Sequence, residues 1–170
     1  ENAAFGISVS TAGDVNGDGY DDVLIGAHMF SAEFESQGKA YLFYGSSTGL
    51  NTDPAWTSLG TSEKRYLGKK VSAAGDVNND GYSDVLIVSG LDYYGEFPNG
   101  AVYAYYGSAT GLSSVPDWTR DFNISIYIVA AGAGDINGDG YDDILYSRPR
   151  IGPHGEGIAY LHYGSSSGLE

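Results

Sequence analysis

The chain has 170 residues, enough for one domain with a sizeable core. Its formal charge of -14 would repel nucleic-acid phosphates, which argues against nucleic acid as a partner. It has no cysteine, so disulfides and thiol chemistry are excluded, and no apolar run reaches membrane-spanning length, so no membrane insertion is expected. Gly (26) and Tyr (15) are abundant, as short strands joined by many turns require.

In chain order, a strand rich in small residues is predicted over Ile7–Ala12. The loop Asp14-Val-Asn16-Gly-Asp18-Gly-Tyr20-Asp-Asp22 follows, and then the short apolar run Val23–Ile25. A variable loop, His28–Gln37, leads to a third strand over Ala40–Tyr44, a Gly-Ser turn and a fourth strand near Trp56–Leu59. The series returns as a strand over Lys69–Ala74, the loop Asp76 to Asp84, Val85–Val88, the variable loop Gly90–Asn99, Val102–Tyr106 and Trp118–Asp121. It returns again as Ile128–Ala133, the loop Asp135 to Asp143, Ile144–Tyr146, the variable loop Pro149–Glu156 and Ala159–Tyr163. The chain then stops at Glu170, with no fourth strand and no Trp in this unit. One domain, 1–170, is expected, with repeats at about 1–61, 62–121 and 122–170. Four short antiparallel strands per repeat describe an all-β chain of β-propeller blades. Small residues on each first strand suit crowding near a central axis. The weak alternation in Tyr41-Leu-Phe-Tyr44 suits a strand covered on both faces, with Tyr rings filling the layers between blades.

The three loops carry the chemistry. Each places oxygen-bearing side chains at positions 1, 3, 5 and 9, with Gly at position 6. Hard cations such as Ca²⁺ take six to eight oxygens in flexible geometry. The expected ligands are Asp14, Asn16, Asp18, the Tyr20 carbonyl and Asp22. Their counterparts are Asp76, Asn78, Asp80, Tyr82 and Asp84, and then Asp135, Asn137, Asp139, Tyr141 and Asp143. Gly19, Gly81 and Gly140 are expected to take backbone angles that a Cβ penalises. The loops are not EF-hands: position 12 holds Ile25, Ile87 and Tyr146 in place of a bidentate Glu, and strands follow in place of a helix. About three Ca²⁺ ions of structural role are therefore expected. Nine of the 22 acidic residues are the loop Asp, so much of the acidity is local site chemistry. Weak extracellular calcium sites fit a secreted protein. The chain opens at Glu1 without a signal peptide and is expected to be a mature product or a piece of something longer.

Other residues are less telling. Trp56 and Trp118 recur at equivalent places and are expected to pack between blades; the competing reading is a sugar-stacking platform. His28, His154 and His162 do not match in position, and no Ser/His/Asp set is inferable. The three variable loops are the expected recognition surface; the first two carry Phe30, Phe34, Tyr93, Tyr94 and Phe97, and all three carry an acid. Asn123-Ile-Ser125 is a glycosylation sequon, meaningful in a eukaryotic secretory host.

The stretch Phe5-Gly6 … Gly26-Ala27 around a calcium loop resembles the FG-GAP repeat of the integrin alpha-subunit β-propeller and its bacterial relatives. The match is fullest in repeat 1, with His28 where the family name has Pro. Repeat 2 has Leu67-Gly68 and Val88-Ser89, and repeat 3 has Ile126-Tyr127 and Ser147-Arg148. The resemblance implies a calcium ion in the hairpin loop between a blade's first two strands, on one rim of the propeller. Propellers of this family have about seven blades, whereas three are legible here. Further blades from the same or another chain are therefore expected partners; two copies would close a six-blade ring, and an open arrangement would grow a filament.

Three functions follow as expectations. The first is a calcium-stabilised extracellular or cell-surface module for adhesion, or for binding a protein or glycan ligand, and not an enzyme. The second is a structural subunit of a surface assembly or filament. The third is the non-catalytic part of a secreted enzyme.

Overall fold

A computed structural model of the chain describes residues 3–90, 100–122, 127–149 and 155–170. Among these residues there are strands and turns but no helix. The first sheet comprises β1 (Ser8–Gly13), β2 (Asp22–Ala27), β3 (Lys39–Phe43) and β4 (Trp56–Leu59). The second comprises β5 (Lys70–Gly75), β6 (Asp84–Ser89), β7 (Ala101–Tyr105) and β8 (Trp118–Asp121). The third comprises β9 (Val129–Gly134), β10 (Asp143–Arg148) and β11 (Ile158–His162). Within each sheet, consecutive strands pair antiparallel in sequence order, as meanders joined by short turns do. The fourth strands fall where the sequence places them. The first strands begin and end one residue later, closing on a glycine, and the third strands begin and end one residue earlier.

The glycine that closes each first strand marks a bulge. In β1 the register slips between Thr11 and Gly13, and Gly13 then pairs with Asp22; the same slip recurs between Ala73 and Gly75. Gly13, Gly75 and Gly134 have φ of 71°, 85° and 70°, the left-handed region that a bulge glycine supplies. The bulge ends each first strand and turns the chain into its acidic loop.

The sheets stack face to face. β1, β5 and β9 run side by side, and the Val71 N–H donates to Ser8 Oγ at 3.1 Å. One core lies between the first two sheets and gathers Leu24, Ala40 and Leu42 against Val85, Ile87 and Tyr105. A second lies between the next two and gathers Leu86, Val102 and Ala104 against Ile128, Ile144 and Tyr146. The middle sheet is covered on both faces, so all six residues of β6 are buried. β3, with one face open, alternates between half-buried and buried positions instead. The expectation that the Tyr41–Tyr44 strand is covered on both faces is therefore corrected for β3.

Close approach of the sheets is a main-chain matter at one edge. A Cβ on Gly26 would lie 1.9 Å from the carbonyl oxygen of Gly68, so only glycine lets β2 meet the entry to β5. Gly38 and Leu67 form a parallel bridge at the same junction.

Candidate metal centres

Each acidic loop is folded by its own side chains. Asp14 Oδ1 accepts the N–H groups of Gly17 and Asp18 at 2.7 and 3.0 Å, and Oδ2 accepts that of Gly19 at 2.8 Å. Asn16 Oδ1 accepts from Asp18 N at 3.1 Å, while its Nδ2 donates to Asp18 Oδ2 at 3.0 Å. Asp18 Oδ1 accepts from Tyr20 N at 3.0 Å. The second loop repeats this between Asp76, Asn78, Asp80, Gly81 and Tyr82, and the third between Asp135, Asn137, Asp139, Gly140 and Tyr141. These are Asx turns, in which a short carboxylate or amide substitutes for a backbone acceptor.

Two loop positions are left-handed. The position-6 glycines have φ of 88°, 91° and 94°, as expected. Position 4 has φ of 73° at Gly17, 54° at Asn79 and 76° at Gly138. Asn tolerates that region better than other side chains, which explains the one departure from glycine.

The position-9 carboxylates differ from the rest: Asp22, Asp84 and Asp143 are fully buried. Asp22 accepts from Val15 N at 3.1 Å and Gly45 N at 2.9 Å; Asp84 accepts from Val77 N and Gly107 N, and Asp143 from Ile136 N and Gly164 N. Each thus ties its loop to the start of the Gly-Ser turn. Burial raises the Asp22 carboxyl above its ordinary value; the two N–H groups oppose this, and the charges of Asp18 and Asp14 add to it. The same forces push Asp84 up to about 7, with Asp80 and Asp76 as the neighbouring charges. Asp135 is held low, first by the N–H of Gly140.

Among the described residues, no three acidic or histidine side chains are gathered closely enough to hold an ion as they stand. The donor set nonetheless fits a hard cation. An ionised carboxylate has about four acceptor sites, and the loop N–H groups occupy three on Asp14, two on Asp22 and one on Asp18, beside the Asn16 amide. The three acids of a loop lie within electrostatic reach of one another, an arrangement that a cation would relieve.

The loops also join the sheets, which sequence reasoning missed. The Asp14 carbonyl accepts from Ser83 N at 3.0 Å and the Val15 carbonyl from Ser108 N at 3.1 Å. Asp76 and Val77 accept in the same way from Asp142 N and Ser165 N, and Asp142 Oδ2 accepts from Asp76 N at 2.9 Å. Position 8 of each following loop supplies the donor, a role that period-counting within a repeat does not expose. The Tyr82 ring packs over Gly17, while Tyr20 is exposed.

The remaining candidates are structural. Trp56 Nε1 donates to the Ser113 carbonyl at 2.9 Å and its ring meets Tyr105 edge-on at 4.9 Å. Trp118 meets His162 in the same way at 5.2 Å, so both Trp pack between sheets as expected. His162 also stacks on Tyr146, and His28 is buried beside Tyr66. The first variable loop is pinned by buried Gln37, which accepts from Phe34 N at 2.7 Å and donates to the Gly60 carbonyl at 3.1 Å. Lys39 lies over the Phe30 and Tyr41 rings. Tyr93, Tyr94, Phe97, His154, Ile126 and the sequon Asn123-Ile-Ser125 lie outside the described residues.

Stacked antiparallel sheets of this order, each with an Asp-rich hairpin loop after its first strand, define a β-propeller repeat protein. Residues 5–43 match the FG-GAP repeat and residues 76–146 the FG-GAP-like repeat. The chain is 32% identical to integrin alpha-8 of Gallus gallus over 93% of its length. It is 32% identical to integrin alpha-V of Gallus gallus over 94%, and 31% identical to integrin alpha-5 of Xenopus laevis over 83%. The chain belongs to the FG-GAP repeat, integrin-like family, and its sheets are β-propeller blades. It spans 15%, 16% and 14% of the length of those three relatives.

Proposed function

We propose that the chain is a calcium-stabilised propeller module that works outside the cell or at its surface, in adhesion or in binding a protein or glycan ligand. The observation that carries this is one loop built three times, with the same N–H groups donating to the Asp at positions 1 and 5 and the same buried Asp at position 9. The calcium ligands would be the side chains at positions 1, 3, 5 and 9 and the carbonyl at position 7, one ion per loop. Bound Ca²⁺ would supply positive charge among carboxylates that otherwise repel. The chain's own residues do the rest. The Asx turns hold the loop shape, the position-9 Asp anchors it to the Gly-Ser turn, and the Asp14, Val15, Asp76 and Val77 carbonyls fasten the next blade.

The role is one of binding and not of catalysis, in keeping with the similarity to integrin alpha subunits. Recognition falls to the variable loops, of which 28–37 is held firm by Gln37. Calorimetric titration with calcium, together with a screen of extracellular proteins and glycans, tests the reading. Saturable binding of about three ions supports it; no heat and no change in melting with calcium would overturn it.

A further inference from the structure

Among the described residues, Asp142 ties loop 3 to loop 2 by two hydrogen bonds. Its N–H donates to the Asp76 carbonyl at 3.0 Å, and its Oδ2 accepts the Asp76 N–H at 2.9 Å. Asp76 is the position-1 acid of loop 2, and the residue after Asp142 is Asp143, the buried position-9 acid of loop 3. One residue thus stands between a candidate ligand of one loop and a candidate ligand of the next, and it holds both main-chain polar groups of Asp76. Its carboxylate lies over Gly75, where a Cβ would stand 2.0 Å from Oδ2. The junction of loops 1 and 2 is tied more weakly. Ser83 donates its N–H to the Asp14 carbonyl at 3.0 Å and lies over Gly13 in the same way, but among the described residues the second bond has no counterpart there.

We propose that Asp142 is a positioning residue for loop 2, so that loops 2 and 3 fill with calcium as a coupled pair while loop 1 fills more nearly alone. The inference rests on the calcium reading of the loops and adds which of them act together. Asp76 organises its loop: Oδ1 accepts from Asp80 N and Oδ2 from Gly81 N, so the place of its main chain decides the place of the rest. Asp143 is fixed in turn by the N–H groups of Ile136 and Gly164, and Asp142 beside it is thereby aimed at Asp76. Settling loop 3 therefore settles Asp76 as well, and less ordering remains when loop 2 fills. The coupling is reciprocal, so filling loop 2 favours loop 3 by the same factor.

Charge works the other way, because a cation in loop 3 cancels part of the negative field that draws a cation to loop 2. Asp80 and Asp139 are exposed, however, and charges in water are screened beyond about 8 Å at physiological ionic strength. The hydrogen bonds through Asp142 are not screened. They set the sign, and the coupling is positive.

The N–H groups of Gly19, Gly81 and Gly140 each donate to Oδ2 of the position-1 Asp of their own loop, so their amide resonances report the three loops separately. Calcium is added stepwise to the isotopically labelled 170-residue chain at physiological salt. In the wild type, Gly81 and Gly140 are expected to shift together. Asp139→Ala damages loop 3 without touching Asp142. It is expected to move the Gly81 midpoint to at least about fivefold more calcium, the low end of such couplings, and to move Gly19 less. In Asp142→Ala the Gly81 midpoint should already be raised, and adding Asp139→Ala should move it no further. Asp142→Asn keeps the acceptor without the charge and should restore the coupling, which a merely structural or purely electrostatic role would not predict. Three results would each overturn the proposal: a Gly81 midpoint indifferent to Asp139→Ala, one that Asp139→Ala still moves in the Asp142→Ala background, or an Asp142→Asn that behaves like Asp142→Ala. Resonances that ignore calcium in all three loops would instead overturn the calcium reading, and this inference with it. Circular dichroism reports whether the variants fold; Asp139→Asn and Asp142→Ser, the latter placing loop 2's own residue at this position, replace any that do not.

Discussion

Tyr106 and Gly168 are matched across a blade boundary: a Cβ on Gly168 would stand 2.2 Å from the Tyr106 hydroxyl, which accepts the next residue's N–H. Gly168 also has φ of 93°. Gly168→Ala is expected to cost about 1–3 kcal/mol from strain and clash together. Tyr106→Phe leaves the Leu169 N–H unpaired, at about 1 kcal/mol. The phenylalanine keeps the ring carbons Cε2 and Cζ, 2.5 and 2.6 Å from that Cβ, so it relieves little of the clash and the double variant should be destabilised by nearly the sum. Urea denaturation of the four proteins measures the coupling.

Calcium removal should lower the melting temperature. A ligand that binds only the folded state at about a hundred times its dissociation constant contributes about 2.7 kcal/mol per site. Asp80→Ala should take one ion from the calorimetric stoichiometry and reduce, without abolishing, the shift between calcium and chelator. An unchanged stoichiometry would remove loop 2 from the set of sites.

The raised Asp84 carboxyl gives a pH dependence in chelator. Its folded value of about 7 stands above the unfolded value, near the ordinary 3.8, so the folded state binds the proton more tightly. The stability this contributes is complete below the unfolded value and is lost as pH rises through about 7. Asp22 is shifted in the same direction. In chelator, melting temperature should therefore rise as pH falls from about 8 to about 5, and Asp84→Asn should flatten the slope. In calcium the trend should reverse, since protons compete with the ion for the same oxygens.

Arg65 fastens the first blade junction to the second blade. Its guanidinium donates to Tyr103 Oη and to Asp121 Oδ1 at 2.8 Å, with 14% of the side chain exposed against 59% for Asp121. Arg65→Ala should cost about 1–3 kcal/mol, because a charge-assisted bond and its packing are lost together. Asp121→Ala should cost under about 1 kcal/mol, as exposed partners do. Thermal denaturation of the two variants distinguishes a buried anchor from a surface ion pair.

Much of the fold was legible because it is repeated. Three nearly identical loop phrases, three Tyr-rich strands and two Trp placed the blades, and local rules placed the turns. Boundaries slipped by one residue where a bulge added Gly13 or Gly75 to a strand, since a bulge has no signature beyond its glycine. The position-9 acid was legible as a candidate ligand, but its second role as acceptor for Gly45, Gly107 and Gly164 was not. Nor were the bonds from one loop to the following blade. They join residues 66 to 93 positions apart, and nothing local in Ser83 or Asp142 marks them as donors to an earlier repeat. Burial on one face or two depends on which blades are neighbours, and for that reason β3 alternates and β7 does not.

The complete burial of β6 bears on how the chain comes apart. A stack whose units touch only their neighbours opens from its ends, where one face is already wet. The amides of β6 should be the last to exchange with deuterium, because reaching them requires both flanking blades to detach. Blade 2 has no state of its own between folded and lost: it cannot loosen without dissolving both cores at once. Blades 1 and 3 can each peel away while the other remains in place. The isolated 170-residue chain would therefore unfold by either of two routes that converge on its centre, and a protease would meet the middle repeat last.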